Sequence, residues 1–144
     1  MNHPDLEPAV RANHELFMRT SDRIAAPLAA HGLTHATAQA LWAIDPDEKP
    51  PSMKVMAERL FCNAPNLTFV AGQLADQGLV ERAVDPADRR SRVLMLTERG
   101  KRVRAEVIRV TFEQTPFAWL NPEELAAVAD LLRKALSRNH SRTP

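Results

Sequence analysis

The stretch Leu60–Gly100 constrains the fold most, because it predicts a helix followed directly by a two-stranded hairpin. Asn63 is of a residue type that caps helix N-termini, and Pro65 lies in the first turn, where the missing N–H costs least. Gly78 supplies the left-handed residue that commonly ends a helix. The apolar residues between these limits recur at helical spacing and predict one buried face: Leu67, Val70, Ala71, Leu74 and Ala75.

Two short aliphatic runs after Gly78, Leu79–Ala83 and Arg92–Leu96, predict the paired strands of the hairpin. Residues 85–91 lie between them and predict a turn with arginines at its tip, and Thr97 is placed to cap the next helix. A helix followed by an arginine-rich hairpin suits duplex DNA, because the helix fits the major groove and the hairpin reaches phosphates or the minor groove. A surface hairpin in some other α/β domain is the alternative.

The order and spacing of these motifs also resemble the MarR family of winged helix-turn-helix transcriptional regulators. The resemblance implies a mainly α fold with a small β-hairpin wing and with N- and C-terminal helical dimerisation elements. It implies one domain over residues 1–144, with a DNA-binding lobe at 33–100 and a helical dimerisation region at 5–31 and 101–138. The residues that carry the resemblance are Gly78-Leu79-Val80-Glu81-Arg82, then Asp85-Pro86-x-Asp88-Arg89-Arg90-Ser91, then Leu96-Thr97-Glu98-x-Gly100.

The charge distribution agrees with a local DNA-binding surface. The 144 residues carry a formal net charge of only +1, which argues against a polybasic nucleic-acid binder. Between Glu81 and Arg104, however, eight basic and four acidic residues give a local charge of +4, so the rest of the chain is net acidic. Arginines crowded at a turn favour phosphate contact over an ordinary solvated surface.

Several classes of function find no support in the sequence. The single cysteine, Cys62, excludes an internal disulfide framework. No run is apolar enough for a membrane span or a signal peptide, so we expect a cytoplasmic protein without a membrane partner. No nucleophile elbow, phosphate-binding loop or metal-ligand cluster appears, so neither enzymatic activity nor a metal or cofactor is predicted.

The segments outside the hairpin predict further helices. Thr34 and Ser52 are placed to cap the second and third helices, and Pro27 is expected to bend the first helix or end its regular hydrogen bonding early. Residues 121–124, Asn-Pro-Glu-Glu, mark a strong helix start. Leu6, Val10, His14, Phe17, Ser21, Ile24 and Leu28 form a coiled-coil-like seam on the first helix, and Leu125, Val128, Leu132, Ala135 and Leu136 form the apolar side of the last.

These two apolar faces need a surface to pack on. A second protomer is one candidate for the first helix, and the C-terminal helices of the same chain are another. The family resemblance implies that both terminal regions dimerise, so the predicted dimerisation residues are Leu6, Val10, Phe17, Leu125, Val128 and Leu132.

By resemblance to the family, Arg90 is the wing arginine that enters the minor groove, and Asp88 holds it. A narrow minor groove attracts an arginine electrostatically. The alternative is that Asp88 and Arg90 pair only to brace the turn, which stabilises an exposed site by about 0–1 kcal/mol. The predicted DNA-binding residues are Ser52, Asn63, Pro65, Asn66, Thr68, Phe69, Gln73, Arg82, Asp88, Arg89, Arg90 and Arg92.

The predicted recognition helix is unusual, because no Lys or Arg occurs between Leu60 and Glu81. Asn66 and Gln73 are suited to adenine edges, and Thr68 or Phe69 to a thymine methyl group. Partial burial in the core is an equally open interpretation of Phe69. These departures from the family put base specificity through this helix in question.

The sequence also predicts an effector pocket between the dimerisation helices and the DNA-binding lobe, near His14, Phe17, Met18 and Trp42. A helix-packing histidine is the alternative for His14, and a buried structural thiol is favoured over a redox sensor for Cys62. The predicted function is therefore a homodimeric repressor of a pseudo-palindromic operator in double-stranded DNA, released by a small-molecule effector. The alternatives are a winged-helix protein-interaction module and a thiol-based redox sensor.

Overall fold

The computed structural model describes residues 3–138, which form six α-helices, one antiparallel hairpin and one 3₁₀ helix. A mainly helical fold with a β-hairpin is thereby confirmed. The elements are α1 (Leu6–Ala30), α2 (His35–Trp42), α3 (Met53–Leu60), α4 (Ala64–Asp76), β1 (Val80–Asp85), β2 (Asp88–Leu96), α5 (Glu98–Gln114), the 3₁₀ helix Pro116–Trp119, and α6 (Pro122–Arg138).

The predicted helix starts at Thr34, Ser52, Asn63, Thr97 and Asn121 are confirmed, because each of these side chains accepts a backbone N–H of the first turn. The start of α6 is reciprocal, since Glu124 also accepts the N–H of Asn121 at 3.0 Å. Gly78 follows α4 with φ 72°, the left-handed conformation expected of it.

Helix α1 continues past Pro27 to Ala30, so the helix does not end at this proline, and the alternative expectation of a bend there stays a prediction. A proline in the last turn removes only one N–H donor. The next residue, Leu28, is buried in the core and ties the final turn to the rest of the protein.

The turn of the hairpin is shorter than predicted. Asp85 pairs with Asp88, so the turn consists of Pro86 and Ala87, and residues 88–91 belong to β2. The register then shifts between Val84 and Asp85, because Val84 pairs with Arg92 and leaves residues 89–91 as a bulge. The arginines therefore lie on a bulged strand beside the turn rather than at its tip.

A third segment pairs with this hairpin. Ser52 forms an isolated antiparallel bridge with Val93, and the N–H of Leu94 donates to the carbonyl of Pro51 at 3.0 Å. The start of α3 is thus fixed to the hairpin. The core beneath these elements is aliphatic, with Leu41, Met56, Leu67, Leu74 and Leu94 fully buried.

Helix α5 joins the hairpin to the outer helices. Its cap residue Thr97 donates its hydroxyl to the carbonyl of Gly78 at 2.7 Å and its N–H to the carbonyl of Leu79 at 3.1 Å. Gly100, in the first turn, is buried directly against Leu79. The rest of the helix packs against α1 and α2.

The terminal helices keep large apolar surfaces exposed within one chain. Helix α6 has no buried residue, although its leucines were predicted to form an apolar side. Only Leu28 of α1 is buried. Most helical stability in proteins comes from packing of an apolar face, and the described residues of one chain bury no residue of α6.

No helix within residues 3–138 is long and apolar enough to cross a membrane. The division of the chain into a lobe at 33–100 and dimerisation segments at 5–31 and 101–138 stays a prediction. Residues 1–2 and 139–144 of the predicted domain lie outside the described residues.

Candidate nucleic-acid interface

Asp88 holds the bulge of β2 by its two carboxylate oxygens. One oxygen accepts the backbone N–H of Arg90 at 3.0 Å, and the other accepts the Ser91 hydroxyl at 3.1 Å. Asp85 acts in the same way on the turn, since its carboxylate accepts the N–H of Ala87 at 2.9 Å. The aspartates thereby replace the ladder hydrogen bonds that the bulge removes.

The guanidinium of Arg90 is exposed and takes part in no salt bridge within residues 3–138. Asp88 therefore binds the main chain of Arg90 and not its side chain. The alternative of a bracing Asp88–Arg90 ion pair is wrong in this structure. The charge of Arg90 remains available to a partner outside the chain.

Arg89, which belongs to the bulge, and Arg92, which directly follows it, differ in their contacts. Arg92 turns back on the bulge, where its guanidinium lies 3.4 Å from the carbonyl oxygens of both Arg89 and Ser91. The side chain of Arg89 is exposed and takes part in no salt bridge in the described part of the chain. The three arginines concentrate positive charge in and beside the bulge.

Some cations of the basic segment, residues 81–104, make contacts within the protein. Arg104 donates two hydrogen bonds to the carbonyl of Trp42, at 3.1 and 3.2 Å, and so ties α5 to the end of α2. Arg99 donates to the carbonyl of Gln77, and Lys101 pairs with Glu98 at 3.1 Å. Lys101 is thereby paired with an acid, whereas Arg99 and Arg104 keep their charge but are tied to backbone carbonyls within the protein.

The exposed surface of α4 carries polar and aromatic groups. Asn66, Phe69 and Gln73 recur at helical spacing on one side, and Phe69 is 67% exposed. The interpretation of Phe69 as partly buried in the core is therefore wrong. The other interpretation, contact with a partner, stays a prediction. The Thr68 hydroxyl donates to the carbonyl of Ala64 at 2.9 Å, so its proton is already used within the helix.

The wing-facing side of α4 is covered by an arginine from β1. One terminal nitrogen of Arg82 donates to the carbonyl of Thr68 at 3.2 Å. The same nitrogen lies 3.3 Å from the position that a Cβ atom would occupy at Gly72. The guanidinium therefore lies against the helix backbone at a place where the helix has no side chain.

The three remaining predicted DNA contacts lie at helix starts. Ser52 and Asn63 use their side-chain oxygens to cap α3 and α4, at 3.1 and 2.9 Å. Pro65 is exposed in the first turn of α4. Helix starts carry a partial positive charge, so both positions suit a phosphate.

A groove of about 400 Å³ runs between α2, the end of α3 and α4. Asn66, Phe69 and Gln73 form part of its lining together with Cys62, which is half-buried rather than buried as favoured from the sequence. The sequence pattern did not predict this groove, because its walls come from three separate helices.

A second cavity, of about 170 Å³, lies where α1, α2 and α5 meet, and that it holds the predicted effector stays a prediction. Phe17 and Trp42 line it, whereas His14 and Met18 are exposed on α1 and do not. Sequence reasoning missed the polar residues of this cavity, although His35 at the start of α2 was a visible signal. The other lining residues are Thr20, Ser21, Ile24, Leu28, His35, Ala38, Gln39, Val107 and Thr111.

The residues predicted for dimerisation form exposed apolar faces on α1 and α6. Leu6, Val10 and Phe17 are exposed on α1, and Leu125 and Leu132 on α6. Val128 is half-buried. Sequence reasoning did not include three further exposed apolar side chains near them, which are Phe112, Trp119 and Leu131.

The described residues contain no group of three or more His, Cys, Asp or Glu side chains placed to hold a metal ion.

Comparison with known proteins gives a consistent result. The model of the MarR family matches residues 31–91. The HTH-type transcriptional regulator SarZ of Staphylococcus epidermidis is 30% identical over 118 residues, which cover 81% of this chain and 78% of SarZ.

Solved structures share the whole fold at low sequence identity. A MarR transcriptional regulator from Methanosarcina mazei Go1 has a TM-score of 0.82 at 19% identity, over 94% of this chain and 98% of that chain. The transcriptional repressor CouR, bound to a 23-mer DNA duplex, has a TM-score of 0.72 at 23% identity, over 94% of this chain and 98% of that chain.

Proposed function

This chain belongs to the MarR family of transcriptional regulators, and we propose that it acts as a homodimeric repressor that binds a pseudo-palindromic operator in double-stranded DNA. It is a regulator and not an enzyme. The similar fold of CouR, described as a repressor bound to a DNA duplex, supports DNA as the partner and repression as the outcome. The proposal places the protein in the compartment of the DNA that it regulates, the cytoplasm.

The exposed guanidinium of Arg90 carries this proposal. Asp88 and Ser91 form the hydrogen bonds that shape the bulge, so Arg90 projects from a fixed backbone without a counter-charge in the described residues. Pre-organisation of this kind lowers the conformational entropy lost on binding. The narrow minor groove is negative enough to attract such an arginine.

In the proposed complex, α4 enters the major groove while the wing reaches the adjacent minor groove. Asn66, Thr68, Phe69 and Gln73 would face base edges, and Arg89 and Arg92 would contact phosphates. The starts of α3 and α4, at Ser52, Asn63 and Pro65, would lie near the phosphate backbone of the DNA. Two recognition helices related by the dimer axis would enter successive major grooves about 34–36 Å apart.

Arg90→Ala is expected to weaken operator binding by about 1–3 kcal/mol, which is roughly 5- to 150-fold in Kd. The reason is the loss of a minor-groove contact from a wing whose backbone is unchanged. The measurement is a fluorescence-anisotropy titration of the purified protein with operator DNA.

Arg109→Ala is a matched control for the arginine at position 90, because Arg109 is exposed on α5 and pairs with Glu106 and Glu113 away from the wing. The control should bind DNA as the unaltered protein does. Unaltered affinity in Arg90→Ala would refute the wing assignment.

The decisive test of function is binding to the DNA immediately upstream of the protein's own gene, compared with unrelated DNA over a range of salt concentrations. Specific binding with a steep salt slope is the expected result, because phosphate contacts release counterions. A reporter gene behind the same DNA should then be silenced by the protein, and activation instead would contradict repression.

We further propose that a small-molecule effector binds the cavity between α1, α2 and α5 and releases the DNA. The cavity combines apolar walls, including Phe17 and Trp42, with the polar groups of His35, Ser21 and Thr111. Such an effector must bind the released state more tightly than the DNA-bound state, because equal affinity would shift no population.

Occupation of this cavity should change the fluorescence of Trp42. The chain has two tryptophans, and Trp119→Phe leaves Trp42 as the single reporter. A benzoate-sized aromatic acid that fits the cavity should quench Trp42 and weaken DNA binding over the same concentration range. Quenching without any change in DNA binding would contradict the effector proposal.

A second candidate function is protein recognition without DNA. It is favoured by the absence of Lys or Arg in α4 and by two exposed aromatic side chains, Phe69 and Phe61, of which Phe61 is 97% exposed. Failure to bind any duplex even at low salt would support this candidate.

Thiol-based sensing through Cys62 is the remaining alternative. The half-buried thiol borders α4, so its oxidation would alter the groove beside that helix. A peroxide response that persists in a Cys62→Ser variant would remove this alternative.

A further inference from the structure

We propose that Arg82, which lies on Gly72, supplies the cation that the recognition helix lacks and binds the phosphate strand between the major and minor grooves. This inference deepens the proposed function and rests on it. It assigns a positioning role to Gly72, which does not itself reach DNA.

The first observation is the position of Arg82. It belongs to β1, but its guanidinium crosses to α4 and donates to the carbonyl of Thr68 at 3.2 Å. An arginine has five N–H donors, so one bond to a carbonyl leaves the others for an external acceptor. The residue is exposed, and no salt bridge within residues 3–138 neutralises it.

The second observation is the space that receives the guanidinium. A Cβ atom at position 72 would lie 3.3 Å from the Arg82 nitrogen, and no other described atom outside the helix backbone comes within 4 Å of it. Glycine within a helix is unfavourable relative to alanine. A Cβ atom at this position would therefore press on the guanidinium, which must shift by a few tenths of an ångström to admit it.

The third observation is the location of this contact. Thr68 and Gly72 lie one turn apart on the side of α4 that faces β1. If α4 fills the major groove and the wing reaches the minor groove, the junction between them lies over the phosphate strand that separates the two grooves. A guanidinium fork matches a phosphate in geometry and charge.

Arg82→Gln tests the charge while keeping an N–H donor for Thr68. In a dimer the substitution removes two phosphate contacts, so the slope of log K against log salt should fall by about 2 in magnitude. Affinity at low salt should fall by roughly tenfold to a hundredfold. The loss should be uniform across operator sequences, because a phosphate contact carries no base information.

Arg99→Gln is the matched control. Arg99 also donates to a backbone carbonyl, that of Gln77 at 2.9 Å, but it belongs to α5 and lies past the C-terminal end of α4. Its substitution should leave the salt slope unchanged.

Gly72→Leu tests the position of the arginine. The leucine should raise the unfolding temperature through its better helix propensity, yet it should weaken DNA binding by displacing the guanidinium. Gly72→Ala should act in the same two directions with a smaller effect on binding. In an Arg82→Gln background, Gly72→Leu should cause little further loss of affinity, since both substitutions remove the same contact.

The outcomes separate this inference from the proposed function. Binding by the unaltered protein with a reduced slope in Arg82→Gln, and non-additive losses with Gly72→Leu, would support it. Binding by the unaltered protein with an unchanged slope would overturn this inference alone, as would a loss confined to operators with one particular base changed. Failure of the unaltered protein to bind any duplex would overturn the proposed function and this inference together.

Discussion

Leu132→Asp is expected to convert the proposed dimer into monomers and to abolish tight operator binding. Leu132 is 43% exposed in the single chain and lies two helical turns from Leu125 on the same face of α6. This helix has no buried residue. A helix with this much uncovered leucine surface is expected to pack against a second copy, and the substitution then places a charge in that interface.

The expected effect is large for two reasons. Burial of one leucine contributes about 1.5–3 kcal/mol, and in a two-fold symmetric dimer each substitution occurs twice. The dimer should therefore weaken by about 10²–10⁴-fold before the cost of burying the carboxylate is added. Operator affinity should fall over a similar range, because a monomer binds only one half-site and loses the effective concentration of the second.

Analytical ultracentrifugation of the purified variant measures the first effect, and titration of operator DNA measures the second. Ala126→Asp is the matched control, since Ala126 is exposed on the side of α6 that carries the Asp130–Arg133 ion pair, away from Leu125 and Leu132. The control should remain dimeric. A dimer of unaltered affinity in Leu132→Asp would show that this side of α6 is not the interface.

Gly100→Ala is expected to destabilise the protein by about 3 kcal/mol, at the upper end of what overpacking costs. A Cβ atom at this position would lie 1.9 Å from the carbonyl oxygen of Leu79, which is backbone and cannot move aside by a change of rotamer. The same carbonyl accepts the N–H of Thr97, so moving it would disturb the start of α5 as well. The cost exceeds the gain of about 1 kcal/mol in helix propensity.

Thermal unfolding at a fixed protein concentration measures this effect, because a dimer's unfolding temperature depends on concentration. For a chain of this size, about 3 kcal/mol corresponds to roughly 6–12 °C. Gly72→Ala is the same chemical change within α4 and should raise the unfolding temperature instead. Equal effects of the two alanines would contradict the close approach at Gly100.

Helix ends could be predicted from the sequence wherever a backbone group or a backbone conformation selects one kind of residue. The cap residues Thr34, Ser52, Asn63, Thr97 and Asn121 were predicted correctly because an exposed N–H at a helix start selects a small set of side chains. Gly78 was predictable for a similar reason, since a positive φ favours glycine.

The length of the hairpin turn was not predicted correctly and the end of α1 was left open, because they depend on strand pairing and on packing in the core. The turn of the hairpin was predicted too long, because Asp85 and Asp88 looked like turn residues when they in fact hold a bulge and a two-residue turn. An early end was one of the two effects expected of Pro27, but α1 continues to Ala30, where burial of Leu28 holds its last turn.

The candidate effector site shows the same limit. Phe17 and Trp42 were named from the sequence together with His14 and Met18, but His35, Ser21 and Thr111 join them only through the packing of α1, α2 and α5. The position of Arg82 over Gly72 likewise requires the hairpin to fold back on α4. Residues brought together by packing across elements carry no local sequence signature.

Helix α5 has a consequence for the operator rather than for the protein. Its start is fixed to the hairpin through Thr97 and Gly100, and its body packs on α1 and α2, so α5 joins the wing directly to these two helices. One added base pair between half-sites shifts them by about 3.4 Å and turns them by roughly a tenth of a helical turn. In the proposed dimer, a wing joined in this way to α1 and α2 would have to shift together with them, so we expect natural operators to differ in sequence more readily than in the number of base pairs between their halves.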